Sequence, residues 1–185
     1  MARHALVVRD AGPDDVDALV AIWAEAGRGV ETPRPHGEAA TALAQLAANP
    51  DDRLLVGEYS GQVVAVMHMR RAPISPIHIE TVVHTSYLLV LAEYRKHGFA
   101  RALLETAVAW AEEADITHIT ATTSSTSRDT NRFLARLGLA QVAMIRFAPT
   151  AALRNRLTPE RPGARALGAV LAQRRSMRRR QITGS

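Results

Sequence analysis

The chain has 185 residues, of which 47% are hydrophobic and 22% are charged, a composition that is typical of one globular domain and excludes disordered and collagen-like chains. It contains no cysteine, which excludes disulfides, a thiolate zinc site and a cysteine nucleophile, and which favours the cytosol. The net charge of +5 is uneven, because residues 150–185 contain nine arginines and one glutamate and the rest of the chain is slightly acidic.

No stretch of the sequence has the length and hydrophobicity of a membrane helix, which needs roughly 20 apolar residues. The apolar run at 5–8 is also too short for the hydrophobic region of a signal peptide. We therefore expect a cytoplasmic protein with no membrane partner.

The hydrophobic periodicity predicts strands and helices along most of the chain. Pro13 and the two acidic residues after it are typical of a first helical turn, and Ser60-Gly61 is typical of a hairpin. In chain order the predicted elements are a strand at 5–9, helices at 12–26 and 38–48, strands at 54–59, 62–70 and 79–91, a helix at 99–114, a strand at 118–122, a helix at 129–137 and a strand at 141–147. This order predicts a mixed α/β domain with one core sheet.

Residues 84–104 contain the most specific chemistry. A buried strand ends there in a turn that contains Gly98 and leads directly into a helix. Such a junction directs unpaired backbone N–H groups and the positive end of a helix dipole at one point, which suits a phosphate, and Arg95, Lys96 and Arg101 add positive charge. The alternative is an ordinary turn with solvated charges. The motifs GxxxxGK(S/T) and GxGxxG are absent, which disfavours a nucleotide triphosphatase and a Rossmann dehydrogenase.

Two segments resemble the GNAT superfamily of acetyl-CoA-dependent N-acetyltransferases. Val90 and the segment 93–104 match the pattern V-x-P-x-x-(R/Q)-x-x-G-x-(G/A)-x-x-L-L, with Ala92 where the family often has proline. The segment 131–139 resembles the helix that ends in FYEKLGF, with Leu134 in place of the tyrosine.

The resemblance implies a GNAT acetyltransferase domain over residues 1–149. It implies a mixed central sheet of about six to seven strands, splayed at the cofactor site and flanked by about four helices. Residues 150–185 are then a basic C-terminal extension, which we expect to be partly helical.

The resemblance also implies a binding site for acetyl-CoA, the acyl donor, and no metal. In the family, backbone N–H groups of the turn bind the pyrophosphate and the central strand pairs with the pantetheine arm. The matching pyrophosphate positions are Arg95, Lys96, His97, Gly98, Phe99, Ala100 and Arg101, and the matching pantetheine positions are Leu88, Leu89 and Val90. Asn131 could contact the pantetheine amide or cap its own helix.

Acetyl transfer to an amine needs a base for the ammonium proton, a group that polarises the thioester carbonyl, and an acid for the thiolate. His84 lies six residues before Val90, where histone-acetylating family members have a glutamate base, and strand alternation predicts one shared face for the even-numbered positions 84–90. Glu80 has the same parity and could act through water. The alternative is that both side chains line a polar cleft.

The acid has no clear candidate. Leu134 cannot donate a proton, and strand alternation predicts that Tyr87 faces away from His84. Ser127 and the hydroxyl-rich run before it could supply a hydroxyl or an ordered water.

The other histidines are interpreted as structural. His78, Glu80 and His84 would span roughly 20 Å along one strand, which is too far for one metal ion. His68 and His118 lie in predicted strands, where a hydrogen-bonded structural role is the simpler interpretation.

Residues 150–185 follow the last strand of the family pattern. An apolar stripe near 167–171, followed by arginines at 174–180, predicts a short amphipathic helix that docks on the body or on a second subunit of a homodimer. The alternative is a contact with nucleic acid or the ribosome, which the absence of aromatic residues after Phe147 disfavours.

The sequence thus predicts an N-acyltransferase that moves acetyl from acetyl-CoA to a primary amine by direct transfer in a ternary complex. The acceptor is a small amine, an amino acid derivative, an antibiotic or a protein N-terminus. The alternative is a catalytically weak protein of the GNAT fold that binds acyl-CoA or associates with RNA.

Overall fold

The computed structural model of the chain describes residues 6–26 and 36–157. These residues form five strands, five α-helices and two 3-10 turns. In chain order the helices and strands are β1 (Leu6–Asp10), α1 (Val16–Ala26), α2 (His36–Ala47), β2 (Asp52–Tyr59), β3 (Gln62–Pro73), β4 (Thr81–Val90), α3 (Phe99–Glu112), β5 (Ile119–Ala121), α4 (Arg128–Arg136) and α5 (Thr150–Leu157). The 3-10 turns are Pro13–Asp15 and Ala92–Tyr94.

The five strands form one mixed sheet whose spatial order follows the chain. Strands β1 to β4 pair antiparallel, whereas β5 pairs parallel to β4. A parallel neighbour requires a crossover connection, and α3 provides it. The predicted mixed α/β fold is confirmed.

Each face of the sheet has its own hydrophobic core. Helix α3 packs on one face, which we call the α3 face, and α1 and α2 pack on the other, the α1/α2 face. The α3 face includes Leu55, Met67 and Val83, and it also contacts α4. The α1/α2 face includes Val56 and Val66. The sheet therefore separates two environments, and each strand residue faces one of them.

The start of α3 is positioned by a close contact with β2. The Phe99 side chain is 1% exposed, and a Cβ atom built on Gly57 would lie 2.8 Å from Phe99 Cδ1. Only glycine at position 57 leaves the space that the Phe99 ring occupies. The first turn of α3 is thus held against the centre of the sheet.

The prediction of a strand at 141–147 is wrong. Among the residues that the structure describes, this segment pairs with no strand, and its apolar side chains are exposed; they are Val142, Met144, Ile145 and Phe147. An alternating apolar pattern shows that a segment suits a pleated surface, but a strand also needs a neighbouring edge with which to pair. The described residues accordingly contain five strands rather than six to seven and five helices rather than about four.

The chain divides into two compact units, Met1–Val142 and Ala143–Ser185. The described part of the first unit contains the sheet with α1 to α4, and that of the second contains α5. The sequence predicts a partly helical extension, but it places the helix near 167–171 rather than at Thr150–Leu157. The predicted helix near 167–171 lies outside the described residues, and the predicted domain boundary after residue 149 stays a prediction. Within the described ranges no helix is long and apolar enough to cross a membrane.

Candidate active site

Strand β4 has an open edge over its second half. Strand β5 pairs with β4 only over Val83–Thr85, and the Thr122 N–H then donates to the Thr85 carbonyl at 2.8 Å. Beyond that point, within residues 6–26 and 36–157, the stretch 86–90 pairs with β3 alone. The gap that opens between β4 and β5 borders Leu88, Leu89 and Val90 and leaves backbone groups of β4 available to an extended ligand.

A bulge at Tyr87 reverses the alternation of side chains along β4. Tyr87 has a φ of 53°, and the register places Val66 opposite Leu89 and His68 opposite Ser86, so that β4 has one extra residue there. The prediction of one shared face for positions 84–90 is therefore wrong. His84 and Ser86 alternate with residues of the α3 face and lie on the α1/α2 face, whereas Leu88 and Val90 pack on the α3 side.

The same bulge changes the direction of the Tyr87 ring. Its centroid lies 5.7 Å from that of Trp23, which belongs to α1. Because α1 covers the α1/α2 face, Tyr87 lies on the side of His84, and the prediction that it faces away is wrong. Sequence reasoning missed this placement of Tyr87 on the face of His84, since a left-handed φ at tyrosine has no sequence signal.

The turn before α3 leaves backbone N–H groups without helical partners. Gly98 is the N-cap of α3, with a φ of 92°, and it has no side chain that could cap the helix. The first hydrogen bond of the helix joins the Ala102 N–H to the Gly98 carbonyl at 3.0 Å. The N–H groups of residues 99–101 therefore precede this ladder and have no helical partner, which is the arrangement that the predicted anion site requires.

The charged residues of the turn are exposed. The Arg95 guanidinium donates to the Val90 carbonyl at 3.3 Å, which ties the turn to the end of β4. The His97 ring lies 3.0 Å from the Arg95 carbonyl. Arg101 pairs with Glu105 on the helix surface at 3.0 Å. Lys96 adds a fourth basic side chain, with a left-handed φ of 67°.

Phe99 and Ala100, two of the predicted cofactor-binding residues, offer mainly backbone groups to a ligand. The Phe99 side chain is buried in the core, so that only its main chain faces the turn. Ala100 has a small, half-buried side chain in the first helical turn. These positions suit an anion that approaches the backbone closely.

The departure from the family pattern at Ala92 has a local explanation. The Ala92 N–H donates to a carboxylate oxygen of Glu25, near the end of α1, at 3.1 Å. Proline has no N–H and could not make this bond. Alanine therefore allows a link between α1 and the turn after β4.

The three predicted catalytic residues lie in different surroundings. His84 is half-buried on the α1/α2 face, and its Nδ1 lies 2.8 Å from the Thr120 hydroxyl of β5. Glu80 precedes β4 and is exposed, with its carboxylate 3.1 Å from His118 Nδ1. Ser127 is the N-cap residue of α4, and its hydroxyl donates to Thr130 at 2.8 Å. Of the three, only His84 belongs to β4, where it lies two residues before the open stretch 86–90.

The helix that resembles FYEKLGF is held by its own side chains. Asn131 Nδ2 donates to the carbonyls of Ser124 at 2.9 Å and Ser127 at 2.7 Å, and so fastens the turn before α4 instead of capping the free N–H groups. Leu134 is buried on the α3 side. An apolar side chain at this position supplies no proton to a leaving group.

Sequence reasoning also missed a polar network on the α1/α2 face. Asp52, whose side chain is 2% exposed, accepts hydrogen bonds from Arg70 Nε at 2.6 Å and from Arg70 Nη2 at 2.8 Å. The Arg70 guanidinium, and less strongly the His68 ring, hold the pKa of the Asp52 carboxyl below its usual value despite burial. His68 is hydrogen-bonded on both ring nitrogens, to Asp52 and to Ser86. Within the described residues no three potential metal ligands come together.

The comparisons with known proteins agree with this geometry. The sequence model of the "Acetyltransferase (GNAT) family" matches residues 17–139, about two thirds of the chain. No curated protein matches the chain.

Solved structures with the same fold have low sequence identity to the chain. The aminoglycoside N-acetyltransferase AAC(6')-Iy in complex with CoA is 12% identical, with a TM-score of 0.67 over 81% of this chain and 98% of that one. The glucosamine-6-phosphate N-acetyltransferase of Arabidopsis thaliana is 11% identical, with a TM-score of 0.66 over 79% and 99%. The ribosomal-protein-alanine N-acetyltransferase of Brucella melitensis is 17% identical, with a TM-score of 0.61 over 78% and 99%. With a family match over two thirds of its length and the same fold as these enzymes, the chain belongs to the GNAT family of acetyltransferases.

Proposed function

We propose that this acetyltransferase moves acetyl from acetyl-CoA to a primary amine by direct transfer within a ternary complex. The observation that most supports this proposal is that the open edge of β4 and the uncapped N-terminus of α3 occur together. The open edge can accept an extended arm that contains amides, and the helix N-terminus can accept an anion. The absence of cysteine removes the most nucleophilic side chain for an acetyl-enzyme.

The donor site uses the residues named above in two groups. Backbone groups of residues 88–90 pair with the pantetheine arm, and N–H groups of residues 96–101 bind the pyrophosphate. The exposed charges of Arg95 and Lys96 add attraction for the phosphates.

The acceptor binds on the α1/α2 face, where polar side chains surround the gap. His84 either takes the ammonium proton or lines the cleft. The slight excess of acidic residues outside the tail favours a cationic acceptor. The three solved proteins compared above are named as acetyltransferases of an aminoglycoside, of glucosamine 6-phosphate and of a ribosomal protein. Because these acceptors differ, the class of amine is to be found by experiment.

The test is a calorimetric titration with acetyl-CoA, followed by initial rates with a panel of aminoglycosides, amino acid derivatives and peptides. We expect binding and intersecting double-reciprocal lines, as in a ternary mechanism. Parallel lines would contradict direct transfer, and neither binding nor turnover would contradict the proposed function.

Two variants separate the donor site from the acceptor site. Gly98→Asp places a negative charge at the anion site and should abolish acetyl-CoA binding. His84→Gln should lower kcat/KM for the amine and leave acetyl-CoA affinity nearly unchanged. Normal turnover by the second variant would remove His84 from the site.

A catalytically weak or RNA-associated protein was the alternative function. The buried Leu134 explains only why that position supplies no acid, and the arginines of 174–180 lie outside the described residues. No described contact favours this alternative over transfer.

A further inference from the structure

A chain of hydrogen bonds crosses three neighbouring strands on the α1/α2 face and ends beside the gap. Oδ1 of Asp52 on β2 lies 2.9 Å from Nε2 of His68 on β3. Nδ1 of the same ring lies 3.1 Å from the hydroxyl oxygen of Ser86 on β4. The three side chains therefore form one continuous series from the buried carboxylate to a half-buried hydroxyl.

The chemistry of the groups gives this series a direction. An ionised carboxylate only accepts hydrogen bonds, so in the neutral ring of His68 the proton lies on Nε2 and is donated to Asp52. Nδ1 is then an acceptor, and the Ser86 hydroxyl donates to it. The Ser86 oxygen retains a lone pair for another donor. A proton that reaches Ser86 can thus pass inward to His68.

The carboxylate at the inner end is held in place. Besides the two bonds from Arg70, Asp52 accepts a bond from Asn49 Nδ2 at 2.6 Å. Its orientation toward the His68 ring is fixed by these donors. A rigid carboxylate orients an imidazole and stabilises the imidazolium that forms on proton uptake.

The outer end lies where β4 leaves its regular pairing. Ser86 directly follows Thr85, the last β4 residue in the ladder with β5, and directly precedes the bulge at Tyr87. The Ser86 side chain lies on the α1/α2 face, as His84 does, and this is the face on which the acceptor is proposed to bind. We propose that Asp52, His68 and Ser86 form a proton relay for the acceptor amine, with the Ser86 oxygen as the atom that contacts the ammonium. This inference rests on the proposed function.

The step balances as follows. One ammonium N–H bond breaks and its proton moves to the Ser86 oxygen, while the Ser86 hydroxyl proton moves to Nδ1 of His68, so that the serine stays neutral. The freed lone pair of the amine forms the C–N bond with the thioester carbonyl carbon, and the C–S bond breaks with its electron pair on sulfur. The second proton of the amine neutralises the thiolate, and His68 releases its proton to solvent.

The kinetic test compares two acceptors of similar shape, an alkylamine that is charged at neutral pH and an arylamine that is not. His68→Gln and Ser86→Ala should lower kcat about a hundredfold with the alkylamine and hardly at all with the arylamine, because the second needs no proton removed before attack. Thr106→Ala, which removes a half-buried hydroxyl of α3, is the matched control and should match the wild type.

A structural role would lower both rates equally, and that result would overturn the relay. So would an alkylamine-selective loss in His84→Gln with none in His68→Gln. Asp52→Asn is unsuitable for this test, because it removes the buried charge that pairs with Arg70 and would destabilise the fold as a whole.

Nitrogen NMR of labelled histidine tests the relay without turnover. We expect the His68 proton on Nε2 and a shift of the Nδ1 resonance in Ser86→Ala. A proton on Nδ1 in the neutral ring would overturn the relay. If the wild-type protein acetylates no amine in the panel, the proposed function fails, while the position of this proton still decides the direction of the relay.

Discussion

The turn before α3 requires glycine at position 98 because of its backbone conformation. The φ of Gly98, 92°, lies in the left-handed region, and a Cβ atom there would meet only a Leu6 methyl at 4.0 Å. Backbone conformation, rather than space, therefore selects glycine at this position. The turn that directs the N–H groups of residues 99–101 at one point depends on that conformation.

We expect Gly98→Ala to lower the free energy of unfolding by about 1 kcal/mol and to weaken acetyl-CoA binding, because the strained turn shifts the N–H groups. Urea unfolding and calorimetry measure the two effects. Gly61→Ala is the matched control, since Gly61 has a φ of 82° and open space around it in the β2–β3 hairpin. It should lose similar stability and keep its affinity for acetyl-CoA. Equal loss of affinity in both variants would contradict the prediction.

At the scale of elements, the position of α3 depends on one close contact. A Cβ on Gly57 would lie 2.8 Å from Phe99 Cδ1 and 3.1 Å from the Ala65 Cβ, both closer than side chains approach without displacement. Because Phe99 is the first residue of α3, displacing its ring should also move the N–H groups of residues 99–101, which form the proposed anion site. Stability and donor binding are therefore coupled through this contact.

Gly57→Ala should lower the free energy of unfolding by about 1 to 3 kcal/mol through overpacking and should also weaken acetyl-CoA binding. Phe99→Leu removes the closest atoms, so the double variant should recover part of both losses. Unfolding and binding measured over the double-mutant cycle give the coupling. Strictly additive losses would show that the contact does not link β2 to the site.

The entry into α1 is held by an ion pair with a definite pH dependence. Arg9 of β1 donates to both oxygens of Asp15, at 2.7 and 2.9 Å, and the Gly12 N–H adds a third bond at 2.7 Å. Arg9 is the largest cause that holds the pKa of the buried Asp15 carboxyl below its usual 3.8. Because folding lowers the pKa of Asp15, the ion pair stabilises the folded protein at pH values above 3.8, the pKa in the unfolded chain. This stabilisation is lost as the pH falls through the lower pKa of the folded state.

Arg9→Gln should therefore lower the free energy of unfolding by about 1 to 3 kcal/mol at pH 7, because Asp15 stays buried without its partner. The difference from wild type should shrink as the pH falls below 3.8. Urea unfolding at a series of pH values measures it. Arg101→Gln removes an exposed pair and should change stability by about 0.5 kcal/mol or less. A difference for Arg9→Gln that does not depend on pH would contradict the assigned cause.

At the scale of the whole molecule, the charge is divided between two parts of the sequence. The net charge of +5 arises from residues 150–185, and the remaining residues are slightly acidic. The residues assigned to the donor and acceptor sites all lie between positions 49 and 131. Acetyl-CoA binding should therefore depend on local N–H groups and a few basic side chains rather than on the net charge.

Deletion of residues 150–185 should change the dissociation constant for acetyl-CoA by no more than about threefold at physiological ionic strength, because every residue assigned to the donor site lies before position 150 and salt screens exposed charges. Calorimetry on the shortened and full chains measures this. RNA binding that is steeply salt-dependent in the full chain and absent from the shortened one would instead assign the tail to nucleic acid. A large loss of acetyl-CoA affinity would place the tail in the donor site.

Most of the elements, and the proposed donor site, follow from local patterns in the sequence. Helix α3 was predicted within two residues of its observed end, because its apolar spacing and the preceding glycine are local signals. The family was identified from the segment around Gly98 and is confirmed. The predicted strand at 141–147 failed because pairing depends on a distant edge, which no local pattern encodes.

The sequence by itself determined the fold family, most of the order of the elements and the position of the glycine turn proposed to bind a pyrophosphate, because each depends on residues close together along the chain. Only the tertiary structure decided which side chains share the α1/α2 face. One extra residue at Tyr87 reverses the alternation of β4, and this places His84 and Ser86 with Tyr87 rather than with Val90. The contact between His68 and Asp52 likewise joins positions on two strands, and it exists only because the sheet brings those strands together.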